Sequence, residues 1–172
     1  MLRWIHRWSA RMLGEDVPAP VAAGPVLLDA YLRLGRPPGQ ADALEPRLEL
    51  IVGQLSAELS GCRWCVEAGR HRWRRALLPV DALDALHAPA EGRCFSERER
   101  AALAFAAAVA EGAETDGLVS GPVLAEARRH FSEREIVRLT VLAAGEHFGD
   151  CLATRLGARP RPSFPIGVRG LS

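Results

Sequence analysis

The string Phe-Ser-Glu-Arg-Glu occurs twice, at Phe95–Glu99 and Phe131–Glu135, and each copy opens an apolar segment that returns at three- and four-residue spacing. Ser-x-x-Glu is the capping box. The serine hydroxyl accepts from the third helical N–H, and the glutamate reaches back to the serine N–H. Ser96-x-x-Glu99 and Ser132-x-x-Glu135 therefore predict two helix starts, with helices running to about Glu111 and about Leu156. Phe131 and Ile136 stand at the offset of a hydrophobic staple across the second start. No segment alternates with a period of two, so the fold class expected is all-α, with helices joined by short loops.

The remaining helices follow from periodicity and breakers. Residues 1–14 read as a short amphipathic helix, with Leu2, Ile5, Trp8 and Met12 on one stripe and Arg3, Arg7 and Arg11 on another. Such a helix packs on the body or on a neighbouring subunit; a basic helix with Trp could also lie on a membrane surface. Residues 15–25 form a Pro/Ala/Gly linker. A helix is expected at about Val26–Leu34, ahead of Gly35 and Pro37–Pro38. The next, about Asp42 to Leu59, has a stripe of Leu44, Leu48, Ile51, Leu55 and Leu59, and its other side carries Leu50, Gly53 and Ala57. Two apolar faces predict burial on both sides, with a second subunit as one possible cover. Cys62 opens a helix to about Arg75, and further helices are expected over 80–87 and 120–130. The organisation predicted is an N-terminal helix and linker (1–25), a helical domain (26–160) and an irregular Pro/Gly-rich tail (161–172).

Composition limits the function classes. The chain of 172 residues is 48% hydrophobic and 25% charged, with a formal net charge of +1, which gives no general nucleic-acid surface. All basic residues other than His are Arg, a pattern we attribute to genome composition. No stretch is long and apolar enough to span a bilayer, and residues 1–13 lack the apolar core and cleavage site of a secretory signal. A cytoplasmic location is the expectation, and in that compartment thiols are mostly reduced.

Of the four cysteines, Cys62 and Cys65 form a C-x-x-C at a helix start. Unpaired N–H groups and the positive end of the helix dipole favour a thiolate there, and Arg63 adds a cation. Cysteines three apart can close a disulfide within one turn, so one could attack a substrate and the other resolve it. Zinc needs four ligands, commonly with a second close pair, and no second C-x-x-C, C-x-x-H or H-x3-H exists; Cys94 and Cys151 are isolated. Two inert buried cysteines are the plainer alternative. A thioredoxin-like reading lacks the flanking βαβ pattern. No phosphate loop or dinucleotide fingerprint is present, and no cofactor is expected.

Leu59-Ser60-Gly61-Cys62-Arg63-Trp64-Cys65-Val66 resembles the (V/I)-N-G-C-x-(Y/W)-C-(V/I) segment of the alkylhydroperoxidase D/carboxymuconolactone decarboxylase family. Leu78–Leu83 is similar to its following short helix, Phe95–Leu103 to its next helix start, and Phe131 to Leu156 to its last helix. Together the matches cover most of residues 42–160. The resemblance implies an alkylhydroperoxidase D-like helical bundle that is a homo-oligomer. It also implies thiol-dependent chemistry on a small peroxide or disulfide, with a thiol reductant restoring the dithiol. Cys65 would attack and Cys62 resolve, an order carried from the peroxidase branch.

The departures concern the proton relay. The peroxidase branch has C-x-x-C-x-x-x-H, and Gly69 stands at that last position, with His71 displaced into an Arg-rich run read as a solvated face. That branch also has a Glu about a dozen residues before the first Cys. Leu50 occupies the matching position, with Glu49 beside it. Candidate substitutes are Glu49, Glu58 (four residues before Cys62) and His147. Leu139, Ala143, His147 and Cys151 form an i, i+4 ladder, so His147 is expected to face inward, either as the base of a thiol, oriented by Asp150, or as a core His bonded to a carbonyl. Two further readings stay open: a non-catalytic helical oligomer that has lost the relay, and a carboxymuconolactone decarboxylase-type enzyme, which needs no C-x-x-C.

Overall fold

The computed structural model describes residues 43–89, 94–112 and 118–155. The expected helices at 1–14 and 26–34, the linker and the tail from 161 lie outside them. The described residues are helical throughout their regular structure, in the order α1 (Pro46–Ser60), α2 (Arg63–Arg75), α3 (Val80–Asp84), α4 (Glu97–Gly112), α5 (Gly121–His130) and α6 (Glu133–Arg155). The all-α expectation holds.

α1 begins four residues later than periodicity suggests. Pro46 sits in the first turn, where its missing N–H costs nothing, and it keeps Glu45 extended (φ −57°, ψ 137°). The helix ends at Gly61, whose φ of 71° is the left-handed conformation that a residue without Cβ adopts freely. α2 follows at once. Its C-terminus closes with Leu77 N–H to Arg74 O and Leu78 N–H to Trp73 O, the paired bonds of a Schellman motif. The left-handed position of that motif is Leu77 (φ 54°), not a glycine. The Trp73 indole N–H donates to Pro79 O at 3.0 Å and fixes the return toward α3. α3 stops at Asp84, and residues 85–87, expected to be helical, form a turn.

Both capping boxes form. Ser96 N–H donates to Glu99 Oε2 (2.8 Å) and Glu99 N–H to Ser96 Oγ (3.2 Å); Ser132 and Glu135 repeat the exchange at 2.8 and 3.3 Å. Phe131 and Ile136 are both buried in the main core.

α1 is the central helix and packs on α6, α2 and α4. Its whole run from Leu48 to Ala57 lies inside, apart from the partly buried Glu49 and Leu50. The expectation that a second subunit covers its second face is therefore corrected. Gly53 and Ala57 are buried within this chain, and α2, α4 and α6 all pack on α1. The core unites Leu48, Ile51 and Leu55 of α1 with Trp73, Leu86, Phe95, Leu103, Phe105 and Leu139. No helix among the described residues is long and apolar enough to cross a membrane.

Candidate active site

The α1–α2 junction builds the site. Gly61 turns the chain so tightly that Cys62 becomes the N-cap of α2, with extended backbone (φ −70°, ψ 93°). Its carbonyl accepts the first helical bond from Val66 N–H at 2.9 Å. Its sulfur accepts from Cys65 N–H at 3.2 Å, as a Ser or Asp side chain does at this position. Cys62 and Cys65 are joined as a disulfide, with Cα atoms 5.2 Å apart. Both are buried (1% and 3% exposed), in a small apolar cluster with Ala57 and, at its edge, Val66. The cation of Arg63 lies on the exposed side of the helix.

A polar network adjoins this cluster. Gln54, 1% exposed on α1, donates from Nε2 to Glu58 Oε1 at 2.7 Å. The other Glu58 oxygen meets His87 Nε2 at 2.7 Å, and Arg70 Nη2 stands 3.9 Å from Glu58 Oε1. Arg70 also reaches Glu67 Oε1 (3.4 Å), so it is turned toward two carboxylates. The amide oxygen of Gln54 has no hydrogen-bond partner among the described residues. It lies against Gly69, where a Cβ would fall on it. Gly69 is thus a place that a side chain from α1 occupies.

The sequence-based candidates separate. Cys62, Cys65 and Glu58 belong to this junction. Glu49 is turned the other way, with Oε1 accepting from Arg138 Nη2 (2.9 Å) and Nε (3.2 Å) of α6. Arg138 is 6% exposed, and Glu49 neutralises its charge. Leu50 packs at the margin of the core. On α6, Leu139 and Ala143 are buried as expected, but His147 is exposed. The inward ladder ends at Ala143: His147 and Phe148, one turn further on, are both exposed. The side chains of Asp150 and Cys151 lie outside the described residues.

Two residues of the network escaped sequence reasoning. Gln54 stands four residues before Glu58, a spacing that could have flagged a shared face. His87 is 29 residues from Glu58 in sequence, and no local pattern points to it.

No protein-family model matches the chain, and no curated protein sequence does. Solved structures do. A protein of unknown function from Agrobacterium tumefaciens, considered an AhpD antioxidant defence protein, superposes with a TM-score of 0.72 at 24% identity, over 83% of this chain and 96% of that one. The debrominase Bmp8 in its apo form gives 0.73 at 21% identity, covering 93% and 86%. Its cysteine-to-alanine variant in complex with 2,3,4-tribromopyrrole gives 0.74 at 19% identity, covering 93% and 85%. The chain has the alkylhydroperoxidase D-like fold. Within that fold the C-x-x-C of this chain opens α2 beside the central helix, and the bonded sulfurs fit a redox role.

Proposed function

We propose that the Cys62–Cys65 pair is a redox-active dithiol, and that the chain reduces a small peroxide or disulfide while a thiol reductant restores it. The observation that carries this reading is the disulfide at a helix N-cap, with a backbone N–H on one sulfur. The same N–H and the positive helix end favour a thiolate once the bond is reduced. With a hydroperoxide, a thiolate attacks the outer oxygen, the O–O bond breaks and the alcohol leaves. The second thiol then attacks the sulfenic acid, the S–S bond forms and water is released. Two thiols and one hydroperoxide give one disulfide, one alcohol and one water. The apolar surroundings of the sulfurs suit a small electrophile with few polar groups.

We further propose that the chain acts as a homo-oligomer in a reducing, cytoplasmic compartment. Val137 and Phe148, eleven residues apart and so on one line of α6, are both exposed, which suits an α6 face covered by a second copy. His147 neighbours that face, and any part it plays with the thiols is to be sought there.

The test is direct. Fully reduced protein is mixed with one equivalent of hydrogen peroxide, cumene hydroperoxide, a small disulfide or a bromopyrrole, and free thiols are counted over time. We expect two thiols lost per equivalent with one oxidant class, much faster than for a denatured control, and no such disulfide in Cys62→Ser or Cys65→Ser. Native protein reacting no faster than the denatured control with every oxidant would leave a helical scaffold without redox chemistry.

A further inference from the structure

We propose that Cys62 is the attacking thiol and Cys65 the resolving one, and that Gln54 is the positioning residue that sets this order. The inference rests on the dithiol reading above and reverses the order that the sequence resemblance implied. Two independent observations carry it.

The first is the donor on Cys62. Its sulfur occupies the N-cap position and receives the Cys65 N–H at 3.2 Å. An ionised acceptor forms the stronger bond, so this geometry favours the Cys62 thiolate over its thiol.

The second is what stands beside Cys65. Residues four apart on a helix have Cβ atoms about 5–6 Å apart on one face. The residue four after Cys65 is Gly69, and the place of its missing Cβ is taken by the Gln54 amide oxygen. On that face, where a base for Cys65 would stand, the chain offers an oxygen that accepts hydrogen bonds and takes no proton at neutral pH. That oxygen is buried and has no partner among the described residues. An oxygen of that kind draws no proton from Cys65, and any S–H directed to it keeps the thiol form. The amide cannot turn over freely, because its Nε2 donates to Glu58, whose second oxygen is engaged by His87. The charged and titratable groups placed around the junction are Glu58 from α1, Arg63, Glu67 and Arg70 from α2, and His87 after α3. Arg138 of α6 is turned to Glu49, and His147 is exposed.

The steps then balance without a base at residue 69. The Cys62 thiolate attacks the outer oxygen of the hydroperoxide, and the alkoxide leaves and takes a proton from solvent. The Cys65 sulfur attacks the Cys62 sulfenic acid, and the departing hydroxide takes the Cys65 proton as water. The Cys62–Cys65 bond is the product.

The experiment compares Cys65→Ser, which keeps Cys62, with Cys62→Ser, which keeps Cys65, both in a Cys94→Ser, Cys151→Ser background. Iodoacetamide alkylation rates are measured from pH 5 to 9, and sulfenic acid is trapped with dimedone after one equivalent of hydrogen peroxide. We expect Cys62 to be alkylated at least about tenfold faster than Cys65 at pH 7, its profile shifted down by at least about one pH unit, and to collect the dimedone label. Equal rates, or a faster Cys65, would overturn the order. Gln54→Leu, with Gln54→Met as a second variant should the first fail to fold, removes the facing oxygen. It should speed Cys65 alkylation several-fold and leave Cys62 unchanged; an unchanged Cys65 profile in a folded variant would remove Gln54 from the account. Alkylation needs no peroxide, so the ranking of the thiols is read even if the dithiol reading fails with every oxidant.

Discussion

At the scale of single residues, two positions carry unusual local geometry with opposite consequences. Leu77 holds a left-handed backbone (φ 54°) with its side chain 90% exposed, so its Cβ costs energy and its isobutyl group returns little. Leu77→Gly should raise the unfolding free energy by about 1 kcal/mol, the strain relieved being partly offset by the greater freedom of glycine in the unfolded chain. Urea denaturation checks this, and a loss of stability would show that Leu77 makes a contact worth more than its strain. Gly69 is the converse. A Cβ there meets the Gln54 oxygen, which is held through Glu58, so Gly69→Ala should cost about 1–3 kcal/mol. The double variant Gly69→Ala, Gln54→Ala should recover part of that loss, and strict additivity in the same denaturation assay would refute the clash.

At the scale of elements, the capping boxes are more than local. Glu99 of the first also pairs with Arg47 of α1 at 2.6 Å, and Glu135 of the second pairs with Arg98 of α4 at 2.6 Å. Arg98 in addition lies over the Phe131 ring, 4.1 Å from its centre, and donates to His130 O. The start of α4 is thereby tied to α1 and to the start of α6. Ser96→Ala and Ser132→Ala should each cost about 1 kcal/mol, measured by denaturation at neutral pH. Burial pushes both carboxyls up. The Ser96 N–H and Arg47 around Glu99, and the Ser132 N–H and Arg98 around Glu135, outweigh it, and both end below the ordinary carboxylate value. A carboxyl depressed in the folded state adds stability that is present above the unfolded value of about 4.3 and is lost as pH falls through the folded one. Unfolding free energy should therefore drop below about pH 4, and the difference between wild type and Glu99→Gln or Glu135→Gln should shrink over the same window. A difference independent of pH would show that the two carboxylates do not act through their charge.

At the scale of the whole molecule, Glu49 and Arg138 link α1 to α6 across 89 residues of sequence. Glu49→Gln replaces the charge-assisted bonds from Glu49 to a nearly buried guanidinium with neutral ones and should cost about 1.5–3 kcal/mol. Thiol reactivity is the second readout. If Glu49 serves only this packing, the alkylation profile of Cys62 stays that of wild type. A shifted profile would return Glu49 to the site, where sequence reasoning had also placed it.

What the sequence determined by itself was the local part: the two capping boxes, the break at Gly61, the C-x-x-C at a helix start and the all-helical class. Each depends on atoms within about one turn of chain, so spacing is sufficient to read it. Periodicity also found both apolar faces of α1, but could not say that α2 and α6 of the same chain cover them. His147 shows the same boundary. An i, i+4 ladder places it on a line with Leu139 and Ala143, yet only the extent of the neighbouring helices decides how far along that line burial continues. Glu49 and Leu50 differ by a single position on α1, and the ion pair of Glu49 with Arg138 exists only once α6 is packed there. Gly69, Gln54 and His87 lie on three different segments, and their meeting around Gln54 and Glu58 exists only once α1, α2 and the turn after α3 are packed together. Side-chain identity fixes what a residue can do chemically, and the packing of distant segments chooses which partner it does it with.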